Sequence, residues 1–217
     1  MKWFHGMNWF YWSIWKLVRT IGQVLFGLHT AGEEHVIFDG PVIFAPNHQS
    51  NLDPPFVSVM IKRELHFFAK KELFDIPILG PLIRALNAFP VRRGVYDPVA
   101  LNTVFEALGN GGGVIMFPEG TRNDGETFLK PKPGIGMVAC RACVPIVPIF
   151  SSNTHRWKKA LFWRNRMTVT FGEPIPVSKV KEFGNDKEGY RALAEYVMEK
   201  IADLKEKSLE KRSRVKS

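Results

Sequence analysis

Short apolar runs bounded by turn residues alternate with segments of helical periodicity along the middle of the chain. The apolar runs predict buried strands at residues 36–38, 42–45, 65–69, 88–91, 114–117, 144–150 and 167–171. Helices are predicted between them at residues 54–61, within 73–86, at 97–108 and at 134–142. This alternation is typical of a single α/β domain, with a mixed, mostly parallel sheet flanked by helices.

The first 30 residues form a distinct apolar segment that is rich in aromatic side chains. The aromatic residues before position 16 are Trp3, Phe4, Trp9, Phe10, Tyr11, Trp12 and Trp15. Lys16 and Arg19 interrupt the segment, and Trp and Tyr favour the headgroup zone over the bilayer centre. With Asn8 and Gln23, these two cations fall on one side at helical spacing. The pattern predicts a helix lying in the membrane interface, with a helix packed on its own domain as the alternative.

These patterns divide the chain into three expected parts. They are a membrane-associating helical segment over residues 1–30, the α/β domain over 31–182, and a C-terminal helix with a basic tail over 183–217. Apolar residues at helical spacing predict the last helix over residues 187–204. Basic residues outnumber acidic ones beyond it, so we expect a solvated tail that is attracted to anionic headgroups.

The composition shows a net positive charge and excludes proteins whose fold depends on disulfides or on zinc bound by cysteines. Of 217 residues, 30 are Lys or Arg and 21 are Asp or Glu, for a formal net charge of +9. Cys140 and Cys143 are too few for a disulfide framework or a four-cysteine zinc site, and we expect two buried thiols. The charge indicates an anionic partner. The alternative from a different class is a non-enzymatic protein that binds nucleic acid or membrane. Nucleic-acid binding would leave the aromatic N-terminus unexplained, so we expect no nucleic-acid partner.

The first candidate site follows the predicted strand at residues 42–45. Residues 47–53 read Asn-His-Gln-Ser-Asn-Leu-Asp, and Pro54 opens the next helix with Asp53 as its expected N-cap. The intervening turn can fold Asp53 back towards His48. A carboxylate that accepts from one imidazole nitrogen leaves the other nitrogen free to take a proton, so the pair predicts a general base. The alternative is a capping aspartate beside an ordinary turn histidine.

The second candidate site follows the predicted strand at residues 114–117. Residues 117–122 read Phe-Pro-Glu-Gly-Thr-Arg, in which Arg122 suits a phosphate, Glu119 can accept from hydroxyls and Gly120 permits close approach of a ligand. An ordinary turn with a surface ion pair is the alternative. Further basic residues follow other predicted strands or precede a helix: Lys70, Lys71, Arg92, Arg93, Lys130 and Lys132. Together they indicate a positive pocket of phosphate size that faces one histidine.

Four motifs, in this order, resemble those of the glycerolipid acyltransferase family. They are the His-x4-Asp motif at residues 48–53, the Val-x-Arg segment at 91–93, the segment 117–122, and Val-Pro-Ile-Val-Pro at 144–148. The similarity extends from about residue 36 to 176, and within the family it is closest to the lysophosphatidate (1-acyl-sn-glycerol-3-phosphate) acyltransferases. The aromatic N-terminal segment also resembles the membrane-anchoring helical motif of bacterial members.

The resemblance implies transfer of a fatty acyl group from a thioester to the sn-2 hydroxyl of lysophosphatidate, which gives phosphatidic acid; another lysolipid acceptor is the alternative. It makes His48 the catalytic base and Asp53 its partner. It assigns substrate binding to Lys71, Arg93, Glu119, Gly120, Thr121, Arg122 and Lys132, with Arg92 as the alternative to Arg93. It implies an acyl-CoA or acyl carrier protein donor, no metal and no further cofactor. The protein is then expected at the cytoplasmic face of a membrane.

Overall fold

A sheet of seven strands forms the centre of the molecule, in a computed structural model that describes residues 9–92, 97–123, 127–163 and 165–214. The strands of the described residues are β1 (His29–Ala31), β2 (Val42–Pro46), β3 (Leu65–Lys70), β4 (Ala88–Val91), β5 (Gly113–Ile115), β6 (Ile146–Ser152) and β7 (Thr168–Phe171). Their order is β1-β7-β6-β2-β5-β3-β4. Strands β2 to β6 are parallel, and β7 is antiparallel to β6. The expected mixed, mostly parallel sheet is confirmed.

Helices cover both faces of this sheet. In the described residues they are α1 (Trp9–Phe26), α2 (Asp53–Ser58), α3 (Leu79–Ala85), α4 (Pro98–Gly109), α5 (Gly134–Ala142), α6 (Trp157–Ala160), α7 (Val177–Glu182) and α8 (Lys187–Arg214). Short 3-10 turns lie at Glu33–His35, Lys71–Asp75, Thr154–Arg156 and Leu161–Trp163. Side chains of β2 alternate between two buried clusters. Ile43 and Ala45 pack with α4, α5 and α8, whereas Val42 and Phe44 pack on the side of α1 and α2.

The parallel strands β2 to β6 all end at the same side of the sheet, here called the carboxyl end. The opposite side is the amino end. Because open α/β sheets bind ligands where their parallel strands end, we expect the functional site at the carboxyl end.

One side of α1 packs on the domain. The backbone N–H of Leu65 donates to the hydroxyl of Tyr11 (3.2 Å), and the indole N–H of Trp15 donates to the carbonyl of Ile61 (3.2 Å). The other side exposes apolar residues, among them Leu17 and Val24. The structure thus has the packing that the alternative predicted, while membrane contact through the exposed side stays a prediction. Among the described helices, none has the length and apolar character needed to span a bilayer.

Several sequence predictions are wrong in detail. Residues 36–38 form no strand, and the carbonyl of Ile37 accepts from the guanidinium of Arg63 instead (3.1 Å). Helix α8 does not end at residue 204 but continues to Arg214, since residues 205–214 contain neither glycine nor proline. Of the two thiols expected to be buried, Cys140 is buried and Cys143 is exposed, because Cys143 lies beyond the end of α5 with a φ of 52°. The short edge strand β1 and the helices α6 and α7 were not predicted.

Candidate active site

Two loops that carry the predicted chemistry leave the carboxyl end side by side. One follows β2 and holds His48, and the other follows β5 and holds Glu119. Phe44 of β2 lies opposite Ile115 of β5 in a parallel pair, so the two strands end at the same level. The sheet topology therefore brings together two segments that lie about 70 residues apart in the sequence.

His48 and Asp53 form a buried hydrogen-bonded pair. Nδ1 of His48 lies 3.0 Å from Oδ2 of Asp53, and the two residues are 4% and 0% exposed. Because an ionised carboxylate can only accept, Nδ1 carries the proton, and Nε2 is left as the acceptor. The same Oδ2 accepts the backbone N–H groups of Gln49 and Ser50, each at 2.6 Å. This geometry fixes the ring and leaves Nε2 able to accept a proton.

Asp53 is not the helix cap that the sequence predicted. Helix α2 begins at Asp53 itself, its N-cap is Leu52, and no side chain caps that terminus. The carboxylate instead turns back to the preceding loop. Its second oxygen, Oδ1, is buried and has no hydrogen-bond partner among the described residues. The hydrogen bonds of Asp53 therefore serve the histidine loop and not the helix.

The carboxylate of Glu119 is hydrogen-bonded to the backbone of the same loop. The N–H of His48 donates to Oε1 of Glu119 (2.9 Å), while Oε2 accepts the N–H of Leu129 (2.9 Å) and the side-chain amide of Asn123. Glu119 is 1% exposed. Its predicted role in binding an acceptor stays a prediction, but the structure gives the carboxylate a clear bracing role that the sequence did not indicate.

Two neighbours that sequence reasoning did not select fix the histidine further. The ring of Phe117 stacks on the imidazole of His48, with centroids 4.1 Å apart and planes inclined by 27°. Asn47 bonds through its side chain to the backbone N–H (2.7 Å) and carbonyl (3.1 Å) of Ser151 in β6. Both residues lie within the motifs described above. Asn47 directly precedes His48, and Phe117 lies two residues before Glu119, so their positions in the sequence could have identified them.

The residues after Glu119 reach the surface next to the histidine. Gly120 has a φ of 68°, and a Cβ atom there would lie 3.0 Å from Cγ of Lys132. The backbone N–H of Lys132 donates to the carbonyl of Pro118 (2.8 Å), which keeps Lys132 beside this turn. Thr121 and Arg122 are exposed, and the N–H of the next residue, Asn123, donates to the carbonyl of His48 (3.0 Å). Two of the predicted cations, Arg122 and Lys132, thus lie next to the histidine loop.

The remaining predicted cations follow β3 and β4. Lys71 is exposed at the start of the 3-10 turn directly after β3. Arg93 lies outside the described residues. Its alternative, Arg92, is exposed, and its backbone N–H donates to Asp97 (3.3 Å). That bond and the N–H of Ala100, which makes the larger contribution, hold the pKa of Asp97 below its usual value.

A second histidine reaches the same loop from the 3-10 turn that follows β6. Nδ1 of His155 lies 3.0 Å from the side-chain oxygen of Gln49, whose backbone N–H in turn bonds to Asp53. Only its position after the Val-Pro-Ile-Val-Pro segment could have signalled this contact. In the described part of the chain, no group of three His, Cys, Asp or Glu side chains is close enough to hold a metal ion.

Comparison with known proteins decides the family. A family model described as "Acyltransferase" matches residues 27–152, more than half of the sequence. The chain belongs to the acyltransferase family. This membership confirms two predictions made from the motifs, that the protein resembles glycerolipid acyltransferases and that it is an enzyme of the acyltransferase class.

Individual acyltransferases are similar over most of the chain. A 1-acyl-sn-glycerol-3-phosphate acyltransferase of Bacillus subtilis is 28% identical over 191 residues, covering 88% of this chain and 94% of the relative. An acyltransferase of the same name from Haemophilus influenzae is 35% identical over 174 residues, covering 76% of this chain and 70% of the relative. The crystal structure of the 1-acyl-sn-glycerophosphate (LPA) acyltransferase PlsC from Thermotoga maritima matches with a TM-score of 0.71 and 29% identity, covering 90% of this chain and 79% of that chain.

Proposed function

We propose that this acyltransferase moves a fatty acyl group from an acyl thioester to the sn-2 hydroxyl of lysophosphatidate, which gives phosphatidic acid for phospholipid synthesis. The names of the relatives from Bacillus subtilis and Haemophilus influenzae support the acceptor. The observation that carries the mechanism is the hydrogen bond between Nδ1 of His48 and Oδ2 of Asp53. It leaves Nε2 as the acceptor of a proton from the attacking hydroxyl.

The reaction then needs no covalent enzyme intermediate. Nε2 of His48 takes the hydroxyl proton as the oxygen attacks the thioester carbonyl carbon. The tetrahedral intermediate collapses, the carbon–sulfur bond breaks, and the imidazolium returns its proton to the leaving thiolate. The carboxylate of Asp53 stabilises the imidazolium in between. A base that is positioned in this way contributes roughly 10²–10⁴-fold in rate.

Cations beside the histidine bind the acceptor phosphate in this proposal. Arg122 lies on the turn that the backbone of His48 contacts through Asn123 and Glu119, Lys132 lies beside that turn, and Lys71 directly follows strand β3. Binding the phosphate there holds the sn-2 hydroxyl near the base, which is a proximity effect. Gly120 and Thr121 belong to the same turn, and Arg93 is the further cation that the family resemblance implies.

Membrane attachment completes the proposal. The exposed apolar side of α1 lies in the membrane interface at the cytoplasmic face, where the acceptor and the product reside. The donor is an acyl-CoA or an acyl carrier protein thioester, and no further cofactor takes part. The positive charge of the protein serves anionic lipid and the anionic donor, and nucleic acid is not a partner.

A transfer assay with purified protein tests the proposal. A panel of lysolipid acceptors is offered with both donor types, with His48→Ala as the blank. We expect phosphatidic acid from lysophosphatidate, and a loss of roughly 10²–10⁴-fold in His48→Ala and Asp53→Ala with the fold retained. His35→Ala, at a histidine remote from the site, is the matched control and keeps full activity. Near wild-type turnover in His48→Ala would overturn the mechanism, and faster acylation of another lysolipid would replace the acceptor.

A further inference from the structure

Two large apolar side chains combine high exposure with a strained backbone. Ile78 is 85% exposed with a φ of 68°, and Phe162 is 79% exposed with a φ of 56°. Phe162, with a ψ of 33°, is in the left-handed region, and Ile78, with a ψ of −51°, is at the centre of a γ-turn in which the N–H of Leu79 donates to the carbonyl of Pro77 (2.8 Å). Both conformations are unfavourable for bulky and β-branched residues, and exposing an apolar side chain to water does not stabilise a fold. Folding therefore gains nothing from either residue. Strain of this kind is concentrated at functional positions.

Phe162 lies at the carboxyl end of the sheet, on the side of β6. Ser152 lies opposite Thr168 in the antiparallel β6–β7 pair, so the connection over residues 153–167 begins and ends at the carboxyl end. Asn47, the neighbour of His48, bonds to Ser151 at the same level. The connection that carries Phe162 therefore starts beside the histidine loop.

Ile78 lies at the same end of the sheet, on the side of β3. It follows the 3-10 turn that starts where β3 ends, and it precedes α3. Because β3 and β4 are parallel, with Lys70 opposite Val91, α3 has to run back from the carboxyl end to the start of β4. In the strand order, β2 and its histidine loop lie between the two apolar positions.

Exposed lysines accompany both apolar positions. Lys70 and Lys71 precede Ile78, and Lys158 and Lys159 precede Phe162. Lys70 pairs with Glu72 (3.6 Å), and Asp75 is exposed as well, so the net positive charge lies beside Phe162. Apolar side chains with adjacent lysines are typical of surfaces that enter the interface of an anionic bilayer. The 3-10 turn of Phe162 also packs against α1, so that its surface is continuous with the proposed membrane helix.

We propose that Ile78 and Phe162 are two insertion tips that enter an anionic bilayer on either side of His48. The carboxyl end of the sheet then faces the lipid, and a lysophosphatidate can reach the base while its acyl chain remains in the membrane. This inference rests on the proposed function for its acceptor. It adds to α1 a second and a third contact, which fix the orientation of the sheet on the membrane.

Asparagine substitutions separate insertion from folding. Asn is polar and adopts the left-handed region more readily than Phe, so Phe162→Asn removes the apolar tip while relieving strain. Ile78→Asn removes the other tip and leaves its backbone strain unchanged, because a ψ of −51° lies outside that region. Phe38→Asn is the matched control. Phe38 is exposed. Its segment lies at the amino end, because Arg63 donates both to the carbonyls of Ile37 and Gly40 and to the carbonyl of Gly111, which precedes β5.

Binding is measured by co-sedimentation with phosphatidylglycerol–phosphatidylcholine vesicles, using the full chain. We expect roughly tenfold weaker binding for each tip variant, a larger loss for the double variant, and wild-type binding for Phe38→Asn. Thermal unfolding temperatures of the tip variants should be unchanged or higher. Wild-type vesicle binding by the double variant would overturn the proposal, and so would a lowered unfolding temperature. A changed oligomeric state with unchanged vesicle binding would assign the tips to a protein contact instead.

An assay without membranes keeps the two proposals apart. With a short-chain lysophosphatidate and thioester below their micelle concentrations, the tip variants should transfer at the wild-type rate. Loss of transfer by the tip variants under these conditions would place the tips in catalysis and overturn the inference. Absence of transfer in the wild type both here and with lysophosphatidate in vesicles would instead contradict the proposed function.

Discussion

The backbone N–H of His48 donates to Oε1 of Glu119 at 2.9 Å, across 71 residues of sequence. Asp53 orients the imidazole ring, and Glu119 fixes the backbone from which that ring projects. Both carboxylates are buried, and both accept several N–H groups from the loops around them. The candidate base is therefore held independently at its ring and at its main chain.

Glu119→Gln should lower activity by displacing the histidine. Glu119 accepts three N–H groups, whereas a glutamine has one oxygen and an NH₂ group that faces a donor, so the change costs about 1–3 kcal/mol of folding free energy. A bracing role predicts a lower kcat and a nearly constant KM for lysophosphatidate. Steady-state kinetics with urea denaturation check this, and a large rise in KM alone would show that Glu119 binds the acceptor directly.

Arg122→Ala should selectively weaken acceptors that carry a phosphate. An exposed guanidinium that forms a charge-assisted bond to phosphate contributes about 1.5–3 kcal/mol, so we expect KM for lysophosphatidate to rise about ten- to a hundredfold. An acceptor without phosphate should be affected far less. Arg141→Ala, at the end of α5 near the amino end, is the matched control. Equal losses with both acceptors would indicate a structural arginine.

Gly136→Ala should destabilise the packing of α8 on α5. A Cβ atom at this position would lie 2.0 Å from the carbonyl oxygen of Tyr190, a backbone atom that cannot move aside alone. We expect a loss of about 3 kcal/mol and a melting temperature lower by about 10 °C. Gly134→Ala, with no neighbouring atom within 4 Å of its added Cβ, is the control and should stabilise by about 0.5–1 kcal/mol. Similar melting temperatures for the two variants would refute this account.

High pH should weaken the docking of α1. Burial, the largest cause, raises the pKa of Tyr11 to about 12 from its ordinary value near 10. The folded protein therefore favours the neutral phenol, so the stability due to Tyr11 is fully present below pH 10 and is lost as the pH rises towards 12. The loss is at most about 3 kcal/mol. Denaturation of the wild type and of Tyr11→Phe at pH 9 to 12 measures it, and equal slopes with pH in both would contradict the prediction.

Buried strands could be predicted from the sequence, whereas the edge strand and the irregular segments of the chain could not. The apolar runs at β2 and β6 indicated strands correctly because both faces of the sheet are covered there. Residues 36–38 have a similar composition, but the guanidinium of Arg63 donates to the carbonyl of Ile37, which would otherwise accept a hydrogen bond from a neighbouring strand. The strand β1 has three half-exposed or exposed residues and carries no hydrophobic signal.

The turn between His48 and Asp53, taken together with the other motifs, allowed their contact to be predicted, but not how that contact is made. Oδ2 of Asp53 also accepts two backbone N–H groups, and the conformation of main-chain atoms leaves no mark in residue types. The same holds for the bond from the N–H of His48 to Glu119. Family motifs identify which side chains belong together, and the sheet register determines which of them touch.

The bond between Asn47 and Ser151 spans 104 residues, so the surroundings of the candidate base are complete only when distant parts of the chain have come together. Contacts of such long range form late and slowly compared with helices. Catalytic competence is thus an indicator of finished assembly. During renaturation from urea, turnover should return after the far-ultraviolet circular dichroism signal, and a chain cut between these two positions should regain helicity well before it regains any turnover.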